Sequence, residues 1–424
     1  MTHARLRRSL AHALLRRTRH GQITLVEDGR ETTYGEPAHD GLHARMELVD
    51  PPAVYRALLR GSLGLALAWT DGAWTSPDPV ALVRLGARNM PRFDRLRLRL
   101  RWALGPIQWA TGALRRNTIK RSREQIAAHY DLGNDLYELF LDETLMYSAG
   151  VFETPQASLH EASLAKLDRI CRKLQLRPDD HLLEIGTGWG AMAVYAAERY
   201  GCRVTTTTIS QEQHAVATAR VREAGLEDRV TVLLRDYREL EGQFDKLVSI
   251  EMIEAVGWRD FGTFFDVCSQ RLKPDGVMLL QAITIDDRAY EAEKATKSFI
   301  NQLIFPGGCL PSQEIIARCV SERTDMRAVQ LEDITEHYVR TLQHWRDRFD
   351  AQPEALRALG YDDRFQRLWT LYLAYCEGGF AERRIGDVQL LLAKPRFVDE
   401  PLAPAHAIAP AGRGRFAREL EVAA

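Results

Sequence analysis

Six cysteines in 424 residues, Cys171, Cys202, Cys268, Cys309, Cys319 and Cys376, never form a Cys-x-x-Cys pair. Neither a zinc site nor a disulfide framework is indicated, and the thiols are expected to be reduced and mostly buried. No run approaches the ~18 apolar residues that cross a bilayer, and the arginine-rich start lacks the uninterrupted apolar stretch of a signal peptide. A cytoplasmic protein is expected. There is no internal repeat. Acid is missing from residues 1–24, which carry Arg5, Arg7, Arg8, Arg16, Arg17 and Arg19, and residues 92–123 set ten Arg or Lys against the single Asp94. A formal net charge of -1 therefore conceals two basic segments that seek anions, whether lipid headgroups, nucleic acid or solvent ions.

With 45% hydrophobic residues, the chain can bury a large core in two or three domains. Its most informative stretch is HLLEIGTGWG (181–190), an apolar run ending in an acid and three glycines, which reads as a strand turning into a helix. Gly186 and Gly188 are suited to φ > 0 and close approach to a ligand, and Gly190 to packing the following helix, Trp189 to Tyr200, against the sheet. Sheets that bind NAD, FAD or S-adenosylmethionine share such loops, and the full dinucleotide fingerprint is not met. Glu184, before the first glycine, favours a methyltransferase, where a strand-end carboxylate meets the ammonium of the methionine moiety.

Residues 181–284 alternate as strand 181–186, helix 189–200, strand 203–209, helix 211–225, strands 230–236 and 244–251, helix 259–272 and strand 276–284, a doubly wound α/β sheet. The runs Val204 to Ile209 and Val277 to Leu280 suit strands buried on both faces, and Lys273-Pro274-Asp275-Gly276 reads as a turn before the last strand. Segments 328–332 and 387–393 are expected to close the sheet with an antiparallel edge, with helices near 339–350 and 365–376 between them. A separate small α+β unit of about 90 residues comes first, with strands at ITLVED and ARMELVD and a helix from Pro52 to Arg60. Leu96 to Leu100 alternates Arg and Leu, and the chain after Pro395 reads as a tail.

The motifs HYDLGNDLYELFLDETLMYSAG (129–150), LLEIGTGWG (182–190), TISQEQ (208–213), DYREL (236–240), VSIEMIEAVG (248–257), RLKPDGVMLLQAIT (271–284), FINQLIFPGGCLPS (299–312) and HYVRTLQHWRDRF (337–349) resemble, in order, the cyclopropane-fatty-acyl-phospholipid synthases and their mycolic-acid relatives. The likeness spans roughly residues 48 to 395. It extends to DPPAVYRALLRGSLGLALAWTDGAW, similar to a helix and Gly-Ser-Leu-Gly turn of the bacterial phospholipid enzymes. The mycolic-acid enzymes lack that domain, so unsaturated phospholipid acyl chains are the implied substrate.

The resemblance implies a class I, Rossmann-like methyltransferase sheet behind a small N-terminal α+β domain. The implied domains are 1–90, lipid- and membrane-associated; 91–125, a basic linker; 126–395, the S-adenosylmethionine-dependent methyltransferase; and 396–424, a flexible tail. It implies a C-methyltransferase at the inner face of an anionic membrane, with a tendency to homodimers. Nucleic acid is not expected as a partner, since no Asn-Pro-Pro-Tyr-like motif for an extruded base is present. No metal is implied.

Tyr147, Ser148, Glu184, Gly186 and Gly188 are then expected around the methionine end of the cofactor, Thr208, Ile209 and Gln213 at its ribose and adenine edge, and Asp236 and Tyr237 beside the adenine. The alternative for Asp236 is a strand-end cap.

The chemistry is attack of an alkene on the sulfonium methyl, followed by proton loss from the resulting cation. It needs a dry, aromatic pocket and one positioned base. Phe299, Phe305, Tyr338, Trp345, Tyr372 and Tyr375 are candidates for the lining. The base implied by the resemblance is a bound bicarbonate, held by Glu254, Tyr338 and the backbone of Ile283. Gln281 stands where the family has a histidine, Ala149 where it has a cysteine and Ala255 where it has another histidine. A glutamine amide and an alanine N–H can still donate to an anion, but a glutamine cannot relay a proton. Glu251, Glu254 or Glu153 is the alternative base, and the product is a cyclopropane or a methylene branch according to which proton leaves. A lipid-binding relative without activity is the competing reading.

Overall fold

The computed structural model describes residues 3–91, 133–294, 296 and 298–398. The Arg and Lys cluster at 92–123, the Arg/Leu alternation at 96–100 and the tail beyond 398 lie outside the described residues.

After helix α1 (His3–Leu15), strands β1 (Gly21–Glu27), β2 (Arg30–Glu36), β3 (His43–Leu48) and β4 (Trp74–Thr75) form a sheet in the order β2-β1-β3-β4. Asp28 and Gly29, both at positive φ, turn β1 into β2. Strand β2, RETTYGE, escapes a reading based on hydrophobicity because Tyr34 is its one buried residue and the rest borders solvent. Helices α2 (Pro51–Ala57) and α3 (Gly61–Thr70) follow, then α4 over residues 79–91. The Gly-Ser-Leu-Gly segment expected as a turn is thus the first turn of α3, where a mostly apolar sequence finds burial.

The second sheet is built from β5 (His181–Ile185), β6 (Arg203–Thr208), β7 (Val230–Leu234), β8 (Phe244–Ile250), β9 (Leu272–Ile285), β10 (Arg327–Asp333) and β11 (Ile385–Ala393), in the order β10-β11-β9-β8-β5-β6-β7. Strands β5 to β9 pair in parallel, and β11 and β10 add the antiparallel edge that the sequence predicts. Leu182, Leu183, Leu247, Val248 and Leu280 are sealed, as parallel strands covered on both faces require. Lys273 to Gly276 do not precede β9 but loop out within it, since the register jumps from Phe244↔Leu272 to Lys246↔Val277.

Around this sheet run α5 (Asn134–Phe140), α6 (Leu159–Lys173), α7 (Ala191–Tyr200), α8 (Gln211–Glu223), α9 (Phe261–Arg271), α10 (Asp287–Glu293), α11 (Gln313–Arg323), α12 (Thr335–Asp350), α13 (Pro353–Ala358) and α14 (Asp363–Ala381). The N-terminal unit has its own sheet, yet its core is continuous with the aromatic core of α5, α12 and α14. Trp69 donates its indole N–H to the Arg367 carbonyl (2.8 Å), and Arg84 and Arg88 both bond Glu382. No helix among the described residues is long and apolar enough to cross a membrane.

Candidate active site

At the carboxyl end of β5 the amides of Gly186 and Thr187 both donate to the Thr207 carbonyl at 3.1 Å, tying the loop to β6. Gly188 lies at φ +52°, and a Cβ there would meet no protein atom within 4 Å, so the space over it is open to a ligand. Gly190, at φ +91°, serves a different contact from the one the sequence suggests. Its missing side chain makes room for Ala217 of α8 (3.1 Å), so two helices meet there, and α7 begins only at Ala191.

Glu184 is buried, with Oε2 accepting from the Thr206 hydroxyl (2.6 Å), which in turn meets the Thr187 hydroxyl (2.6 Å). Burial pushes its carboxyl up to about 8, against the pull of Thr206 and of Lys166. Thr208 donates to Gln213 Oε1 (2.8 Å) at the end of β6, with Ile209 half-buried between them. Asp236 caps the short turn Tyr237–Glu239 and gives both oxygens to Arg238 (2.7 and 2.8 Å), while the Tyr237 ring turns into the core against Phe264.

A second cluster forms where β8, β9, β11 and α12 converge. Glu251, just past β8 at φ +47°, receives the Ala149 N–H (2.9 Å) and the Gln281 amide (2.8 Å) on Oε1 and the Tyr338 hydroxyl (2.7 Å) on Oε2. Glu254, on the turn Ile253–Ala255, receives the Ile283 N–H (2.5 Å) on Oε1, and its Oε2 is shut from solvent with no partner. Gln281 also reaches Asp387 Oδ2 (3.2 Å), whose other oxygen has no partner. Lys166, fully buried on α6, donates to Ser148 (2.8 Å).

Glu251 and Glu254 each keep some residue surface exposed, but their carboxylates are held inside, and burial raises both. Glu254 reaches about 8, helped by the charge of Glu251, whereas Tyr338, Ala149, Lys166 and Gln281 oppose the rise at Glu251. Asp387 lies well above the carboxylate range through burial and the two glutamates. Burial lowers Lys166 to about 8 against the pull of Glu251, Asp142, Asp387 and Glu184.

The donors expected around a bicarbonate are therefore engaged by protein carboxylates, Ala149, Gln281 and Tyr338 by Glu251 and Ile283 by Glu254. The charge of Glu251 would repel a second anion, so bicarbonate does not fit here. Glu153 is exposed.

Of the aromatic candidates, Tyr338 touches this cluster, and Trp345, which meets Tyr338 edge-on (6.0 Å), leads on to Tyr147 and Tyr372. Tyr147 and Tyr372 share a hydroxyl contact (2.7 Å), Trp345 packs on Tyr147 (5.2 Å), and Tyr338 stacks on Phe380 (4.3 Å). Phe305 meets Tyr372 and Phe299 meets Tyr375, both edge-on. Sequence reasoning missed Lys166 and Asp387. Their signals are a lysine on the apolar face of α6, beside Ala162 and Ile170, and an acid within the otherwise apolar strand IGDVQLLLA.

A parallel sheet with an antiparallel edge, opened by a glycine loop below a buried acid and followed by a cluster of buried carboxylates, defines a class I S-adenosylmethionine-dependent methyltransferase. The residues at the loop fit that cofactor, since Gly188 leaves a cradle and Glu184 a carboxyl at its edge. A family model for mycolic acid cyclopropane synthetase matches residues 117–390, and the chain belongs to this family of C-methyltransferases. It is 38% identical over 387 residues to the tuberculostearic acid methyltransferase of Mycobacterium tuberculosis, covering 88% of each chain. It is 37% identical over 356 residues to the cyclopropane-fatty-acyl-phospholipid synthase of Escherichia coli K12, covering 82% of this chain and 86% of the other. The crystal structure of a mycolic acid cyclopropane synthase complexed with SAH and CTAB superposes with a TM-score of 0.60 at 31% identity, covering 64% of this chain and 98% of that one.

Proposed function

We propose that this enzyme methylates a carbon–carbon double bond in an unsaturated phospholipid acyl chain, and that Glu251 removes the proton that completes the reaction. S-adenosylmethionine supplies the electrophilic methyl when bound. Gly188 leaves room for it, while the bare Cα of Gly186 admits Met252 beside the loop, 3.2 Å from where a Cβ would stand, with Glu184 facing the ammonium and Tyr147 and Ser148 the carboxylate. The alkene's π electrons form the new carbon–carbon bond to that methyl as its bond to sulfur breaks, the electron pair stays on sulfur, which leaves as the neutral thioether, and the neighbouring carbon becomes cationic. Tyr147, Tyr338, Trp345 and Tyr372 exclude water from that cation and face it with π electron density. Glu251 then accepts one proton. If the proton leaves the transferred methyl, its C–H electrons close a cyclopropane; if it leaves the adjacent chain carbon, they form a methylene-branched chain.

The observation that carries this reading is the threefold holding of Glu251 by Ala149, Gln281 and Tyr338. Such donors oppose the rise that burial imposes on the carboxyl and aim it, as a general base requires. Glu251→Gln is expected to lower turnover by ~100-fold or more with cofactor affinity retained. Incubation with oleoyl phospholipid and gas chromatography with mass spectrometry reads both rate and product. A Glu251→Gln enzyme of wild-type rate would refute the assignment.

Membrane docking belongs to the same proposal. Helix α1 exposes Leu6, Leu10 and Leu14 in one stripe, with Arg5, Arg16 and Arg17 exposed beside it. That pattern suits the anionic face of a membrane and a peripheral, cytoplasmic location.

A further inference from the structure

The buried amide that bonds Glu251 is the inner end of a chain of hydrogen bonds crossing the sheet edge. Gln281 on β9 and Gln389 on β11 stand directly opposite each other in antiparallel register, so their side chains share one face. Lys173, seven residues beyond Lys166 on the buried face of α6, donates its ammonium to Gln389 Oε1 (2.7 Å). Gln389 donates its amide to Gln281 Oε1 (3.0 Å), and Gln281 donates to Glu251 Oε1 (2.8 Å). Gln281 and Gln389 are both buried, and Lys173 is anchored by Glu332 (2.5 Å), which also binds Arg169 (2.9 Å).

A carboxamide has one accepting and one donating end, and a half-turn exchanges them. An ammonium only donates. Lys173 therefore decides which end of Gln389 faces it. Gln389 in turn presents N–H to the Gln281 oxygen, and Gln281 has its N–H left for Glu251. Without the ammonium Gln389 is free to reverse and set its oxygen against that of Gln281, and a Gln281 that turns in response gives up its bonds to Glu251 and Asp387 and sets a carbonyl oxygen against the carboxylate of Glu251.

We infer that Lys173 is a positioning residue for the proposed base: acting through Gln389 and Gln281, it fixes the direction of the amide chain so that Glu251 always receives a donor. This rests on the reading of Glu251 as the base. Losing that donor favours the protonated carboxyl and moves the ionisation of Glu251 to higher pH. The other groups facing Glu251 are Tyr338 from α12, Lys166 from α6, Asp387 from β11 and Glu254. Those facing Lys173 are Glu332 and Arg169. Asp387 accepts from the same Gln281 amide (3.2 Å) and loses that donor with Glu251 when the chain reverses, whereas the others lie outside the chain and stay in place.

The test compares wild type, Lys173→Met, Lys173→Arg, Gln389→Met and Glu251→Gln in the full-length enzyme, measuring kcat against pH with saturating S-adenosylmethionine and oleoyl phospholipid vesicles, together with KM, cofactor affinity and melting temperature. Lys173→Met is expected to move the acid limb of kcat upward by about one pH unit and to lower kcat about tenfold below it, with KM and cofactor affinity unchanged. Lys173→Arg, which again offers only donors, is expected to restore the wild-type limb. Gln389→Met breaks the chain while leaving the Lys173–Glu332 pair, so it gives the same upward shift and decides the matter if Lys173→Met does not fold. Unshifted limbs in Lys173→Met and Gln389→Met overturn this inference alone, provided Glu251→Gln is inactive. A fully active Glu251→Gln overturns the base assignment and this inference together.

Discussion

Glu184 offers the most quantitative handle on the cofactor site. Its carboxyl is raised from 4.5 to about 8, so at pH 7 about 0.9 of the free enzyme holds a proton there. Pairing with the ammonium of S-adenosylmethionine returns the carboxyl to its ordinary range and expels that proton. Binding should therefore release close to one proton at pH 7 and tighten about 30-fold between pH 5.5 and 7, a window below the ~7.7–8 at which an α-amino group itself titrates. The sign for folding is the reverse. A carboxyl raised in the folded state favours folding most while protonated, so the stability of the free enzyme declines as pH climbs from 4.5 towards about 8, by ~5 kcal/mol at most from this group. Titration calorimetry in buffers of different ionisation enthalpy reads the proton count, and Glu184→Gln should abolish both the release and the pH slope of affinity. A wild-type Kd that is flat from pH 5.5 to 7, or an equal slope in Glu184→Gln, would refute the placement of this acid against the cofactor.

Gly188→Val should leave a folded protein, strained by ~1–2 kcal/mol at φ +52°, that no longer binds S-adenosylmethionine by calorimetry. Gly190→Ala should lower the melting temperature instead, by the equivalent of ~1–3 kcal/mol, because its Cβ meets Ala217 at 3.1 Å with φ at +91°. Tyr338→Phe keeps the stack on Phe380 but removes a donor from Glu251, so the acid limb of kcat should move to higher pH with little change in melting temperature. Leu10→Glu on α1, at a site 51% exposed, should weaken flotation with anionic vesicles without lowering the melting temperature. Wild-type binding should fall as salt rises, and salt-independent binding by the mutant at the wild-type level would exclude this face.

The sheet was readable because parallel strands covered on both faces are written as unbroken apolar runs such as VMLL, and the antiparallel edge followed from two further runs near the end. The edge strand RETTYGE was not, since most of its side chains face water and carry no periodic apolar signal. The KPDG segment looks the same whether it precedes a strand or bulges from one; register with Phe244 and Lys246 decides. At the site, the motif EMIE places two glutamates three residues apart and leaves open which takes the donors. The answer depends on the left-handed backbone of Glu251 and on the N–H of Ala149, a group every residue but proline possesses. Lys166 and Lys173 share one face of a helix that was not read from the sequence, and the task of Lys173 depends on Gln389, more than 200 positions further along.

The three carboxyls of the pocket are not equivalent, and their hydrogen bonds rank them. Glu251 has three donors over two oxygens, Glu254 has one donor and an oxygen with none, and Asp387 shares an amide at 3.2 Å and likewise leaves an oxygen without a partner. Donors stabilise the ionised form, and burial without them stabilises the neutral one. The cluster titrates as a unit, and its first negative charge settles on Glu251, which in turn holds protons on Glu254 and Asp387. Lys166, close enough to lower Glu251 and fully enclosed, favours the same distribution. On the proposed mechanism a single carboxylate then faces the cation that develops on the acyl chain, and it becomes neutral as it takes the proton. The acyl chain and the base are then both neutral, and the remaining Lys166 ammonium is held by the Ser148 hydroxyl.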